Sequence, residues 1–126
     1  MSTNNKNIVN EVNEAFANNR PEDFLKHCAD NIEWQMVGEK TTKGINEIRA
    51  WMAQMKDAEP PKFTIDEIIS EGDSVVCLGD MNMKGEDGKP GNYSYCDVYN
   101  FNNGKIARLQ SFVVKLKAGG EKSAAA

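Results

Sequence analysis

One carboxylate interrupts an otherwise aromatic strand face in the segment YSYCDVYNF. Because side chains alternate along a strand, Asp97 lies on the same face as Tyr93, Tyr95, Tyr99 and Phe101. A carboxyl group buried among aromatic rings has a raised pKa, since desolvation disfavours its charged form. Such a group could donate a proton or a hydrogen bond to a substrate carbonyl and stabilise an enolate, so we predict that Asp97 is catalytic. The alternative is a structural aspartate that binds a backbone N–H group or a lysine near a strand end.

Three other predicted strands each place a set of largely apolar side chains on one face. These residues are Trp34 and Met36, then Cys77, Met81 and Met83, and finally Leu109, Ser111 and Val113. Small-molecule pockets are typically apolar with a few placed polar atoms, and methionine adapts to the shape of a ligand. We predict that these residues bind a ligand, although each taken singly is also explained as ordinary core. Tyr95 and Tyr99 could donate a hydrogen bond to a ligand carbonyl or pack across strands.

Apolar residues at helical spacing predict three helices that would position this face. The first contains Ile8, Val12, Ala15 and Phe16. The second begins at Pro21, since proline suits the first helical position, and would bury Phe24, Leu25 and Cys28. The third opens at Gly44 and continues to Met55, and prolines in Glu59-Pro60-Pro61 end it.

Alternating hydrophobicity and turn residues predict five strands, at Ile32–Met36, Phe63–Ser70, Ser74–Lys84, Tyr93–Phe101 and Lys105–Lys117. Two segments are predicted as loops, Glu39–Lys43 and Gly85–Gly91. Asn102-Asn103-Gly104 favours a type I′ hairpin turn. Three helices followed by an antiparallel meander indicate the α+β class. We expect a single domain over residues 1–117 and a frayed tail over residues 118–126.

Composition excludes several classes of function. The 126 residues include 15 basic and 19 acidic side chains without a basic run, so a nucleic-acid partner is not expected. No stretch reaches the ~18 apolar residues of a membrane span, and a polar N-terminus indicates a cytoplasmic protein. Three cysteines without a C-x-x-C pair and a single histidine, His27, predict neither a disulfide framework nor a metal site. We expect no cofactor.

Four segments in order resemble the nuclear transport factor 2-like superfamily, and within it the SnoaL-like and ketosteroid-isomerase-like members. These segments are AFANNRPEDFLKHCADN, GINEIRAWMAQM, EGDSVVCLGDMNMKG and CDVYNFNNGKIARLQSF. The resemblance covers about residues 8–115. It implies a cone-shaped fold in which three N-terminal helices pack in a strongly curved antiparallel sheet.

The resemblance also implies roles for single residues. Asp97 falls where ketosteroid isomerases keep a neutral oxyanion-binding aspartic acid, a case that is the standard example of a carboxylic acid held protonated by an apolar site. The position of the isomerase base is Met36 here, and that of the first-helix tyrosine is Val12. Neither residue can transfer a proton, so steroid isomerisation is not expected. Trp51 falls at an aromatic pocket position, and Phe16 would close the bottom of the pocket.

Two functions from different classes remain open. The first is a cofactor-independent isomerase, cyclase or lyase that acts on an apolar carbonyl compound, with Asp97 as its acid or base. The second is a ligand-binding module of the same fold without turnover, which the missing base and tyrosine favour. Fold alone does not decide between them.

The predicted sheet carries apolar residues on its outer face as well as on its inner face. Phe112 and Val114 alternate with the inner-face residues of the last strand, and Val76 and Leu78 do the same two strands earlier. A sheet with one solvated face should alternate apolar and polar residues. We therefore predict a homodimer that pairs sheet to sheet through these four residues.

Overall fold

The computed structural model describes residues 2–54, 62–84 and 88–116 of the chain. Within these ranges the order of elements is α1 (Ser2–Ala17), α2 (Pro21–Leu25), β1 (Cys28–Met36), β2 (Lys40–Lys43), α3 (Ile45–Gln54), β3 (Lys62–Glu71), β4 (Ser74–Lys84), β5 (Pro90–Asn102) and β6 (Lys105–Lys115). The class is α+β, as the sequence predicts.

The strands form a six-stranded sheet in the order β2-β1-β6-β5-β4-β3. Four of the five strand pairs are antiparallel, whereas β1 pairs with β6 in parallel. The expectation of a wholly antiparallel sheet was therefore wrong. The helices are also not consecutive at the N-terminus, because β1 and β2 lie between α2 and α3.

Turn chemistry sets most strand boundaries as expected. Strand β4 spans the predicted Ser74–Lys84. The hairpin between β5 and β6 turns at Asn103 and Gly104, whose φ angles of 53° and 79° are those of a type I′ turn. Glycine and asparagine tolerate this left-handed region better than other residues, which explains their place here.

Three boundaries differ from the prediction. Lys40–Lys43 is a strand rather than a loop, because its backbone pairs with β1 although its side chains are polar. Strand β5 begins at Pro90, inside the predicted loop. Helix α2 ends at Leu25, so His27 precedes β1 and Cys28 opens it. Met55, the Glu59-Pro60-Pro61 stop, residues 85–87, Lys117 and the predicted tail at 118–126 lie outside the described residues.

Helices α1 and α3 cover different parts of one sheet face. Helix α1 contacts β3 and β4, and α3 contacts β1 and β2. The inner faces of the central strands β5 and β6 therefore lie between the two helices. The core below them contains Val9, Val12, Phe24, Leu25, Ile32, Ile48, Val75, Cys77, Tyr99, Ile106 and Leu109.

The opposite face of the sheet keeps large apolar side chains in solvent. Phe112 is 39% and Val114 62% exposed, and Ile69 is 48% exposed. No helix among the described residues combines the length and the hydrophobicity needed to cross a membrane.

Candidate functional site

Asp97 lies in a row of side chains that runs across four strands of the inner face. Its Cα partner is Cys77 on β4 and Ser111 on β6, and Ser111 is in turn paired with Met36 on β1. Neighbouring strands are about 4.8 Å apart, so these residues lie side by side across the sheet. The sheet register therefore brings together four predicted site residues from four separate segments.

Asp97 keeps part of its surface accessible, whereas its row neighbours Cys77 and Ser111 are buried. Its carboxyl group is on β5, in the part of the inner face between α1 and α3. Burial raises the pKa of Asp97 to about 6, and a hydrogen bond from Ser111 opposes that rise. The carboxyl therefore keeps its proton to a higher pH than a solvated aspartate does.

Ser111 connects Asp97 to an aromatic cluster. The indole Nε1–H of Trp34 donates a hydrogen bond of 3.0 Å to the Ser111 hydroxyl, and Ser111 lies directly across from Asp97 in the β5–β6 register. The centre of the Trp34 ring lies 5.7 Å from the centre of the Phe16 ring and 5.1 Å from that of the Trp51 ring. Three of the predicted pocket aromatics thus form one cluster, joined through Ser111 to the predicted catalytic residue.

A second polar group adjoins Asp97 from β4 and α1. The Cys77 thiol lies 3.8 Å from the Tyr95 hydroxyl and accepts a 3.4 Å hydrogen bond from the side-chain amide of Asn13. Burial raises the pKa of both Cys77 and Tyr95. Both groups therefore stay protonated at neutral pH and can act only as neutral hydrogen-bond partners.

The Tyr99 hydroxyl is a buried donor that makes no hydrogen bond to any described residue. The whole Tyr99 side chain is buried. Burial, and after it the charge of Asp97, raises the pKa of Tyr99 well above its ordinary value, so the proton remains on the oxygen. An unpaired buried hydroxyl costs about 1–3 kcal/mol, which an acceptor atom from a water or a ligand would recover.

The remaining predicted residues lie farther from Asp97 on the same face. Met81 pairs with Tyr93, and Val113 pairs with Tyr95, both along the strand away from Tyr99. Met83 lies opposite Gly91, near the end of β4, and is half-buried. Leu109 pairs with Tyr99 and is fully buried, as core residues are.

Three residues that sequence reasoning missed contribute to this region. Asn13 follows Val9 by four positions, so helical spacing could have placed it on the buried face of α1. Phe24 was assigned to the core, and its ring lies 5.5 Å from Trp34. The Lys40 ammonium lies 5.1 Å from the centre of the Trp51 ring, a cation–π contact that only the unpredicted strand β2 could reveal.

Two surface grooves lie beside the start of α3, away from Asp97. Their volumes are about 380 and 550 Å³, and both are lined by Asp30, Ile45 and Arg49. Arg49 is exposed, and its guanidinium donates hydrogen bonds of 2.9 and 3.2 Å to the Glu22 carboxylate. No predicted site residue lines either groove. The described residues contain no group of three or more His, Cys, Asp or Glu side chains that could hold a metal ion.

Solved structures share this fold at low sequence identity. An NTF2-like protein of unknown function from Cytophaga hutchinsonii is 24% identical, with a TM-score of 0.73 over 90% of this chain and 99% of that one. A LEH-like epoxide hydrolase of M. tuberculosis is 15% identical, with a TM-score of 0.79 over 89% and 84% of the two chains. A protein assigned as a SnoaL-like polyketide cyclase from Jannaschia sp. is 12% identical, with a TM-score of 0.77 over 89% and 86%.

These similarities establish an NTF2-like α+β fold. No protein with a curated description matches the sequence. The sequence pattern of the SnoaL-like domain does match, over residues 9–109, which include Asp97, Tyr99, the whole of α3 and part of α1. The chain therefore belongs to the SnoaL-like domain family of the NTF2-like superfamily.

Proposed function

We propose that this protein binds a small apolar molecule with a carbonyl group between α1 and α3, and that Asp97 transfers a proton on it. The observation that carries the proposal is the place of Asp97, a partly accessible carboxyl on a face that is otherwise aromatic and apolar. Pockets for small molecules commonly combine such a wall with a few placed polar atoms. An acid or base works best when its pKa is near the working pH, and that of Asp97 is about 6.

The ionised carboxylate would act first as a base. It takes a proton from the carbon next to the substrate carbonyl, and the electron pair of that C–H bond moves onto the carbonyl oxygen as an enolate. Where a carbon–carbon double bond is conjugated with the enolate, return of the same proton to the far carbon of that bond shifts the double bond and gives an isomer. Attack of the enolate carbon on a second carbonyl of the molecule, with the proton passed to the new alkoxide, gives a ring. Both sequences conserve atoms and electrons without a cofactor.

The Tyr99 hydroxyl supports this proposal as a buried donor, unpaired among the described residues, that would bind the enolate oxygen of a ligand entering the inner face beside Asp97. It is near enough to Asp97 for the carboxylate charge to raise its pKa, and it lacks an acceptor among the described residues. A donor held ready for developing charge is a common source of transition-state stabilisation. The epoxide hydrolase and the assigned polyketide cyclase of the same fold are named for small-molecule chemistry, which is consistent with this class of substrate.

Exchange of carbonyl-adjacent hydrogen for deuterium tests the chemistry without knowledge of the natural substrate. A panel of cyclic ketones and 1,3-diketones in D2O, followed by proton NMR, should include compounds whose exchange the protein accelerates. The rate should rise with pH through about 6 as Asp97 ionises, and Asp97→Asn should lower it at least about 100-fold. Asp73→Asn, in the exposed β3–β4 turn, is the matched control and should exchange like the wild type.

A binding module without turnover is the second candidate, favoured by the apolar residues Met36 and Val12 at two positions that carry polar groups in isomerases. Val12 is fully buried and its side chain is apolar, so it offers a ligand no hydrogen bond. Thermal-shift binding of the same panel separates the two functions. Ligands that stabilise both the wild type and Asp97→Asn, with no exchange in either, would establish the module and refute the enzyme.

We also propose that the protein forms a homodimer through the outer face of its sheet. Val76 and Leu78 on β4 and Phe112 and Val114 on β6 all belong to this face, and the last two are exposed. Across the strands, Leu78 is paired with Cys96 and Cys96 with Phe112, so the apolar surface is continuous. A second copy of the same surface would cover it with a two-fold symmetric contact.

A further inference from the structure

The hydrogen bonds at Ser111 have only one possible direction. An indole N–H is a donor and never an acceptor, so the 3.0 Å contact with Trp34 must use a lone pair of the Ser111 oxygen. A serine hydroxyl carries a single hydrogen. Ser111 lies directly across from Asp97 in the sheet, and hydrogen bonding by Ser111 lowers the pKa of Asp97, which is the effect of a donor on a carboxylate. The Ser111 proton is therefore available for donation to Asp97.

The surroundings keep this arrangement in place. Ser111 is only 5% exposed and lies directly across from Asp97 in the β5–β6 register. Trp34 is held by ring contacts with Phe16, Phe24 and Trp51 at 5.1 to 5.7 Å. These ring contacts restrict rotation of the indole, and the burial of Ser111 limits the exchange of its hydrogen bonds with water.

We propose that Ser111 is a positioning residue that holds the Asp97 carboxyl as a hydrogen-bond acceptor, because Trp34 occupies the serine lone pair and directs its single proton to the carboxylate. The inference rests on the proposed function in treating Asp97 as the proton-transferring group. It adds the direction of that transfer, since a carboxylate that receives a hydrogen bond is stabilised in its ionised form and is ready to accept a proton from substrate. It also connects the aromatic cluster to Asp97 through the hydrogen bond from Trp34 to Ser111.

Carbon-13 NMR titration of the Asp97 carboxyl in the full chain tests the direction of the bond. Ser111→Ala should raise the pKa of Asp97 by about one unit above that of the wild type, since a hydrogen bond to a charged group is lost. Ser111→Thr keeps the hydroxyl and should titrate like the wild type. Trp34→Phe keeps an aromatic ring but leaves the Ser111 oxygen without the indole donor. It should raise the pKa of Asp97 by less than Ser111→Ala does.

The indole N–H resonance of Trp34 provides a second readout in the wild type. The chain has two tryptophans, so Trp51→Phe assigns the signal. The Trp34 resonance should shift with the titration of Asp97 in the wild type and should lose that shift in Ser111→Ala. A merely structural role of Ser111 would not couple these two groups. Should Ser111→Ala fail to fold, Ser111→Thr and Trp34→Phe still give the comparison of two pKa values.

An Asp97 pKa in Ser111→Ala that equals or falls below that of the wild type would overturn the proposal, as would a Trp34 resonance that does not respond to Asp97. If only the Trp34 and Ser111→Thr variants can be measured, equal pKa values in the two would overturn it. None of these measurements uses a substrate. If no compound in the panel exchanges its hydrogen but Ser111→Ala still raises the pKa of Asp97, the proposed enzyme is refuted and the positioning role of Ser111 is retained.

Discussion

The Asp97 carboxyl changes the free energy of unfolding by an amount that depends on pH. Its pKa is about 6 in the folded chain against 3.8 for a solvated aspartate, because burial disfavours the charged form. The folded chain thus holds the proton more tightly than the unfolded chain does. The contribution of Asp97 to the free energy of unfolding is fully present below pH about 4 and is lost as the pH rises through 6. The difference between the two pKa values corresponds to a loss of about 3 kcal/mol.

Asp97→Asn should therefore stabilise the protein at high pH. The amide has a similar shape and carries no charge, so the variant should exceed the wild type by about 1–3 kcal/mol at pH 8 and equal it near pH 4. Urea unfolding at the two pH values measures the difference. The Asp73→Asn variant controls for the substitution itself. A free-energy difference for Asp97→Asn that is the same at both pH values would show that burial of the charge is not the cause.

Strand β4 depends on a glycine that faces the site. Gly79 pairs with Tyr95 on one side and with Ile65 on the other, where β3 has a bulge between Ile65 and Glu67. A Cβ atom at Gly79 would collide with the Thr64 carbonyl and come within 3.0 Å of the Tyr95 ring. The absent side chain therefore lets β3 approach closely and gives the Tyr95 ring its place beside Cys77.

Gly79→Ala should destabilise the protein by about 1–3 kcal/mol, because the backbone of Thr64 cannot yield as a side chain could. Gly91→Ala on β5 is the matched control. Its Cβ would lie 3.3 Å from the Tyr93 ring, which can move, so its effect should be below about 1 kcal/mol. Thermal or urea unfolding measures both. Equal effects of the two substitutions would contradict the close approach of β3 at Gly79.

The limits of sequence-based prediction are clear at the scale of these elements. Alternation and turn residues located β4 and the Asn103-Gly104 turn because those patterns are local. Strand β2 has the sequence KTTK and is a strand only because β1 pairs with it. The parallel contact of β1 with β6, and with it the Trp34–Ser111 bond across 77 residues, depends on the assembled sheet. Asp97 could be found because it breaks an aromatic pattern, and alternation placed Ser111 on the inner face, but the bond that Ser111 accepts from Trp34 could not be predicted.

On the scale of the whole molecule, the two faces of the sheet have different roles in these proposals. The inner face is covered by α1 and α3 and carries Asp97 and Ser111. The outer face has no helix packed on it among the described elements, yet exposes Ile69, Phe112 and Val114. A contact between two outer faces would leave the inner face, with Asp97, outside the interface. Dimerisation and ligand binding should then be independent.

Phe112→Glu tests the dimer, because it places one charge in the middle of the proposed contact. Light scattering at micromolar concentration should give the wild type twice the chain mass of 14.0 kDa and the variant a single chain mass. A charge desolvated without a partner costs roughly 3–5 kcal/mol, which weakens association at least about 100-fold.

Asn10→Glu, exposed on α1, adds the same charge on the other side of the sheet and should remain dimeric. Phe112 is already 39% exposed in the single chain, so the variant should keep its fold, which circular dichroism checks. A wild type that stays at one chain mass as its concentration rises would refute the dimer.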